Sequence, residues 1–214
     1  MRAAALPRGA GWRVTRTAAG HAGALAELQR IVFPTLAPEE WFEARHYRRH
    51  VAVFPEGQFA VLAAGTPETP VAATTTLRLR FDPAHPQHRF PEILGGRGLG
   101  AHDPEGPWLY GADLGVHPAW RRRGLAAALY EARQGTVRRL GLAGQLTVGM
   151  LNGYGAVAGR VSAEDYYQRV VRGEVFDPTV SVQLRLGFRA EGLIPDYVRD
   201  PRCGNCGVLL IRAR

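Results

Sequence analysis

Arg121, Gly124 and Ala126, spaced Arg-x-x-Gly-x-Ala, begin five residues after Val116, the last residue of an apolar run from Leu109. Leu125 to Arg133 follow at once, with apolar side chains at helical spacing. A strand, a tight turn and a helix in this order aim free backbone N–H groups and the positive end of a helix dipole at one point, which makes an anion site. Gly124 and Ala126 leave room for a phosphate against the backbone, and Arg121, Arg122 and Arg123 add cationic side chains. The dinucleotide fingerprint is excluded, because no Gly-x-Gly-x-x-Gly occurs.

Other candidate groups carry less. Cys203-Gly204-Asn205-Cys206 has the spacing of a redox pair or of half a zinc site, but no second pair completes it and it precedes a strand instead of opening a helix. It reads as a turn with two thiols. The formal charge of +8 comes from 27 basic residues, all of them Arg. With no Lys and much Ala, Gly and Pro, this balance reflects codon choice in a GC-rich genome more than a polyanion surface. No basic stripe interleaved with aromatic residues supports nucleic-acid binding. No apolar run is long enough to span a membrane, and an export signal is lacking, so the cytoplasm is the expected location.

The elements that must position the anion turn can be read in order. Residues 1–10 read as a loose tail, and 11–214 as a single domain. Strands are expected at Trp12–Thr17, Gln58–Ala64, Val71–Phe81, Leu109–Val116, Leu146–Met150, Phe188–Leu193 and Gly207–Ile211. Helices are expected at Ala22–Val32, from Pro38 to about His50, from Leu125 to about Leu140, and at Thr179–Leu186. Thr66–Pro70 reads as a turn. Two long irregular segments remain, Asp82–Pro107 and Leu151–Pro178; the second holds a short helix, Ala163–Val171, with Ser162 as N-cap.

The anion turn, on its predicted strand and helix, resembles the acyl-CoA pyrophosphate loop of the GNAT superfamily of N-acetyltransferases, Gln/Arg-x-x-Gly-x-Gly/Ala after a strand ending in Val-x-Pro. The resemblance covers Trp12 to Ile211. Val53–Phe59, Leu109–Asp113, Asn152–Tyr154, Ser162–Tyr166 and Val171–Pro178 are similar to the subgroup fused to carbon–nitrogen hydrolases, whose hydrolase part a chain of 214 residues is too short to hold. The implied fold is α/β (α+β): a mixed, mostly antiparallel sheet of six to seven strands, about four flanking helices, and an extra helical insertion after the fifth strand.

The implied activity is direct transfer of an acetyl group from acetyl-CoA, with no metal, to the primary amine of a small or amino-acid-like acceptor. Backbone N–H groups of Leu114, Gly115 and Val116 would face the pantetheine and thioester. Arg121, Arg122, Arg123, Gly124, Leu125, Ala126 and Asn152 would complete the CoA contacts. The ammonium must lose a proton before attack, and the departing thiolate needs a proton or a positive field. Asp113, a lone carboxylate in an apolar strand, could take the first proton through water, or be held by one of the many Arg residues. His102 is an alternative base; His117 belongs to the Val-His-Pro turn.

The chain departs from the family at the acid. Four residues before Gly187-Phe188, where many members have Tyr, stands Gln183. Tyr154 and Tyr166 are the candidate substitutes, with solvent as the other proton source and packing as the other role for the tyrosines. The two irregular segments should close over the acceptor, and their Asp82, Glu92, Asp103, Glu105, Glu164, Asp165, Glu174 and Asp177 would suit a cationic amine. A non-catalytic acyl-CoA-binding module is the alternative class, neither nucleic acid nor membrane is an expected partner, and homodimer formation is left open.

Overall fold

Runs rich in Val, Ala, Thr and Leu build one eight-stranded sheet in the computed structural model, which describes residues 6–214. The strands are β1 (Arg8–Gly9), β2 (Trp12–Arg16), β3 (Phe59–Ala63), β4 (Thr66–Leu79), β5 (Trp108–Val116), β6 (Gly144–Met150), β7 (Arg189–Ile194) and β8 (Gly207–Ala213). Their spatial order is β1-β2-β3-β4-β5-β6-β8-β7, antiparallel at every junction except β5 with β6. The helices are α1 (Ala22–Val32), α2 (Ala44–Val53), α3 (Phe90–Ile93), α4 (Leu125–Leu140), α5 (Ala163–Val171) and α6 (Val180–Arg185).

The mixed, mostly antiparallel sheet and the helical insertion after the fifth long strand are as expected, with one strand more. That strand is β1. Gly11, at φ +77°, turns the chain back so that Gly9 pairs with Trp12 and Arg8 with Arg13. The pairing falls inside the stretch read as a loose tail, of which residues 1–5 lie outside the described residues. The reversal before β4 is also tighter than the expected Thr66–Pro70 turn. It occurs at Ala64–Gly65, with Gly65 at φ +88°, and Thr66 already belongs to β4.

The second helix differs most. Pro38–Glu40 form only a single 3-10 turn, and α2 starts at Ala44. Tertiary bonds draw the intervening backbone away from helical geometry: the Phe42 N–H donates to the side-chain carbonyl of Gln29 on α1, and the buried Glu40 carboxylate accepts the Arg199 N–H at 3.0 Å. Local pattern matched structure where the segment supplies its own backbone bonds: α1 and α5 have the expected bounds, and Ser162 Oγ caps α5 by accepting the Asp165 N–H.

Helices cover both faces. On one, Leu125, Leu129 and Ala132 of α4 pack on Val14, Phe59, Val61 and Ala72. On the other, Leu25 and Leu28 of α1 and Tyr47 of α2 pack over Ala60, Ala73, Leu77 and Tyr110. Each fully buried Leu contributes about 1.5–3 kcal/mol, enough to hold β4 and β5 rigidly between the two layers.

Candidate functional site

β5 and β6 pair only from Trp108↔Gly144 to Gly111↔Thr147. Beyond Gly111 the strands part, because β5 follows β4 instead, staying in register to Val116↔Ala72 after a bulge opposite Thr75 and Thr76. A cavity of about 280 Å³ occupies the opening, with Ala112, Leu114 and Val116 on one wall and Thr147, Val148 and Met150 on the other. Leu114 and Val116 thus line the cavity. Gly115 is not among the lining residues; a Cβ there would lie 3.3 Å from Val32 on α1, which does line the cavity.

At the end of β5, His117 Nδ1 accepts the Ala119 N–H, so this histidine caps the turn. The chain then takes left-handed conformations at Arg122 (φ +61°) and at Gly124 (φ +82°), and α4 begins at Leu125 with no side-chain cap. A 16-residue helix therefore presents its first N–H groups and its positive dipole end without a side-chain cap. Arg121, Arg122, Arg123 and Gly124 are exposed, and Arg123 lies over the Trp120 ring. Arg121 and Ala126 line the same cavity as Ala112 and Leu114, so the turn and the strand opening form one continuous site.

Asp113 lines the cavity but is tied to the fold. Its Oδ1 accepts the Thr75 N–H at 2.6 Å, bridging the bulge, and Tyr47 donates to Oδ2 over a long 3.4 Å. Burial pushes this carboxyl above the usual range, against the pull of the Thr75 N–H, Arg133 and Tyr47. Arg133 is the residue that pattern reading missed. It sits on the apolar face of α4, four residues from both Leu129 and Val137, and is 1 % exposed. Its guanidinium donates to Thr74 Oγ1 and to the Asp113 carbonyl and lies over the Tyr130 ring. An arginine at core spacing was the available signal.

Gln183 and Asn152 also line the cavity. Gln183 donates to the Tyr130 hydroxyl at 2.8 Å, and its own carbonyl oxygen is buried without a partner. Asn152 donates to Thr179 Oγ1 at 2.7 Å. Tyr154 and Tyr166, the candidate acids, do not line the cavity. They pack on one another, and Tyr166 is directed at the buried Asp177 carboxylate; burial first, and then that carboxylate, push its hydroxyl up to about 12. His102 accepts the Arg78 N–H and stacks on Phe54, away from the cavity.

The irregular segments supply Phe90, Asn152 and Pro178 to the walls. None of their acidic side chains lines the cavity; Asp82 pairs with His85, Asp103 with Arg80, Glu174 with Arg172, and Asp177 caps α6. The acids that do line it are Asp113 and Asp200. Cys203 and Cys206 are free and buried, and burial lifts the Cys203 thiol to about 12, far from a reactive thiolate.

Residues 23–158 match the profile of the Acetyltransferase (GNAT) family. The chain is 31% identical over 176 residues, 82% of its length, to the "Probable hydrolase YhcX" of Bacillus subtilis (strain 168), of which it spans 33%. It is 29% identical over 188 residues to the "Uncharacterized N-acetyltransferase YkwB" of the same organism, covering 87% of this chain and 81% of that protein. Among solved structures it is similar to a "GNAT-like decarboxylase in complex with isobutyryl-CoA", GphF, at 25% identity and a TM-score of 0.77, covering 94% of this chain and 98% of that one. Among the described residues, no helix is long and apolar enough to cross a membrane.

Proposed function

The chain belongs to the acetyltransferase (GNAT) family, and on that premise we propose that it transfers an acetyl group from acetyl-CoA directly to the primary amine of a small or amino-acid-like acceptor. The observation that carries this reading is the single cavity joining the uncapped α4 terminus to the parted β5–β6 strands. Phosphates bind at Arg121–Ala126, and the pantetheine lies along Leu114–Val116. The acceptor occupies the end of the cavity lined by Phe90, Tyr197 and the α1 end at Phe33–Leu36, with Asp113 and Asp200 also among the lining residues.

Asp113 takes a proton from the acceptor through water, and the freed nitrogen attacks the thioester carbonyl. The C–N bond forms as the C–S bond breaks; the thiolate leaves toward the amide of Gln183, and the second proton of the nitrogen passes to it through water. A carboxyl raised by burial is a stronger base than a free one. It works only when ionised, so the rate falls as pH drops through its raised pKa. Asp113→Asn keeps an acceptor for the Thr75 N–H and should therefore fold. Its turnover should drop about 10²-fold above that pKa, with the pH limb gone and CoA affinity unchanged. An unaltered pH–rate profile, read as CoA thiol release with a panel of small amines, moves the base elsewhere.

The similarity to a decarboxylase, together with Gln183 at the acid position, supports a second reading: loss of CO2 from a carboxylated acyl-CoA, whose enolate then takes a proton. Release of CO2 from malonyl-CoA without any amine selects it. CoA binding with neither turnover selects a non-catalytic module.

A further inference from the structure

Tyr197 of the acceptor end, together with a tyrosine and a histidine that have no role above, forms a continuous chain of hydrogen bonds. Tyr197 lines the acceptor end of the cavity and its hydroxyl lies 3.0 Å from that of Tyr110. Tyr110 is fully buried and does not line the cavity, and its hydroxyl lies 2.9 Å from His88 Nε2. His88 Nδ1 lies 2.7 Å from the Pro86 carbonyl, and His88 is only half-buried, in the segment before β5. The rings pack edge to face, His88 against Phe81, Tyr110 and Tyr197, which keeps the chain free of slack.

The Pro86 carbonyl sets the direction. It can only accept, so Nδ1 carries the ring proton and Nε2 of neutral His88 must accept. Tyr110 then donates to His88, and Tyr197 donates to Tyr110. Both lone pairs of the Tyr197 oxygen are left free to accept.

We infer that Tyr197, Tyr110 and His88 are the route by which the proton taken from the acceptor leaves the cavity, an inference that rests on the acetyl-transfer reading. The acceptor proton, handed on from Asp113 by water, arrives at the Tyr197 oxygen while the Tyr197 proton passes to Tyr110 and the Tyr110 proton to His88 Nε2. The resulting imidazolium loses its Nδ1 proton to solvent beside the Pro86 carbonyl, and return of the ring to the Nδ1–H tautomer, with rotation of the two hydroxyls, resets the chain. No net charge stays on either tyrosine. Tyr197 is the member that meets substrate; Tyr110 and His88 act through it.

The electrostatic surroundings fit a route that stays open at neutral pH. Burial pushes the His88 ring below its ordinary range, opposed by the Pro86 carbonyl and by Glu92. Burial also holds both phenols protonated, with Glu40, Asp113 and Cys203 adding to the effect at Tyr197. The wild-type rate should therefore lose this contribution only when acid protonates Nε2, below the usual histidine range.

The test uses the whole chain, acetyl-CoA and a small primary amine that the wild type turns over. Tyr110→Phe breaks the route in the middle, keeps the ring packing and touches no cavity wall. It should lower kcat about 10²-fold, leave the KM for acetyl-CoA unchanged, and turn a curved proton inventory in H2O/D2O mixtures into a linear one. His88→Ala should behave alike and regain rate with added imidazole, which can enter from solvent. A kcat within twofold of wild type in Tyr110→Phe, with the curvature retained, overturns the inference. If the wild type turns over no amine, the acetyl-transfer reading fails on its own. Ring 15N shifts of His88 then decide the route: an Nδ1–H tautomer whose Nε2 signal moves in Tyr110→Phe supports it, and an Nε2–H tautomer overturns it.

Discussion

Gly124→Glu should lower the affinity for CoA by about a hundredfold or more, near 2.8 kcal/mol, while the folded core is retained. Two effects combine. Gly124 sits at φ +82°, where any L side chain is strained, and a carboxylate there would stand at the helix end that must face the pyrophosphate. A Cβ at Gly124 meets nothing within 4 Å, so the loss would come from conformation and charge and not from a clash with the protein itself. Controls separate the two effects. Gly124→Ala carries only the strain and should cost about fivefold, roughly 1 kcal/mol. Gly124→Asn, tolerated in the left-handed region, should bind nearly as well as wild type. Calorimetry showing unchanged CoA affinity in Gly124→Glu would remove the phosphates from this turn.

Gly111→Ala should destabilise the protein by about 2–3 kcal/mol, a fall in Tm of roughly 4–12 °C for a domain of this size. The added Cβ would lie 2.2 Å from Arg133 Nη1. The guanidinium cannot swing aside cheaply, because it is 1 % exposed and bound to Thr74 and to the Asp113 carbonyl. Displacing it also frees the strand that carries the cavity wall, so turnover should fall with stability. Arg133→Met supplies the check, since a flexible apolar side chain makes room for the methyl. In the double variant the two losses should fall short of their sum by about 1 kcal/mol or more. Strict additivity would mean that Gly111 and Arg133 do not press on each other.

How much could be read without coordinates depended on the range of the interactions. The anion turn was legible because Val116, Arg121, Gly124 and Ala126 act through their own backbone, within one strand end and one helix start. Helices α1, α4 and α5 followed from apolar spacing and caps for the same reason. The break before α2 was not legible, because Gln29 and Arg199 impose it from elsewhere in the chain. Tyr154 and Tyr166 were plausible acids by type and neighbourhood, yet the fold turns them onto each other and onto Asp177.

Taken alone, the sequence determined the family, through its resemblance to a known loop, and the succession of strands and helices along the chain, which rests on short-range periodicity and turn chemistry. Tertiary structure alone decided which polar groups meet inside. Arg133 reaches the Asp113 carbonyl only because Gly111 leaves space on β5. His88 meets Tyr110 across 22 residues and Tyr110 meets Tyr197 across 87. A hydrogen bond needs its atoms placed to within a few tenths of an ångström. Between residues so far apart in the chain, that placement comes from sheet register and the packing of an irregular segment, which no local pattern encodes.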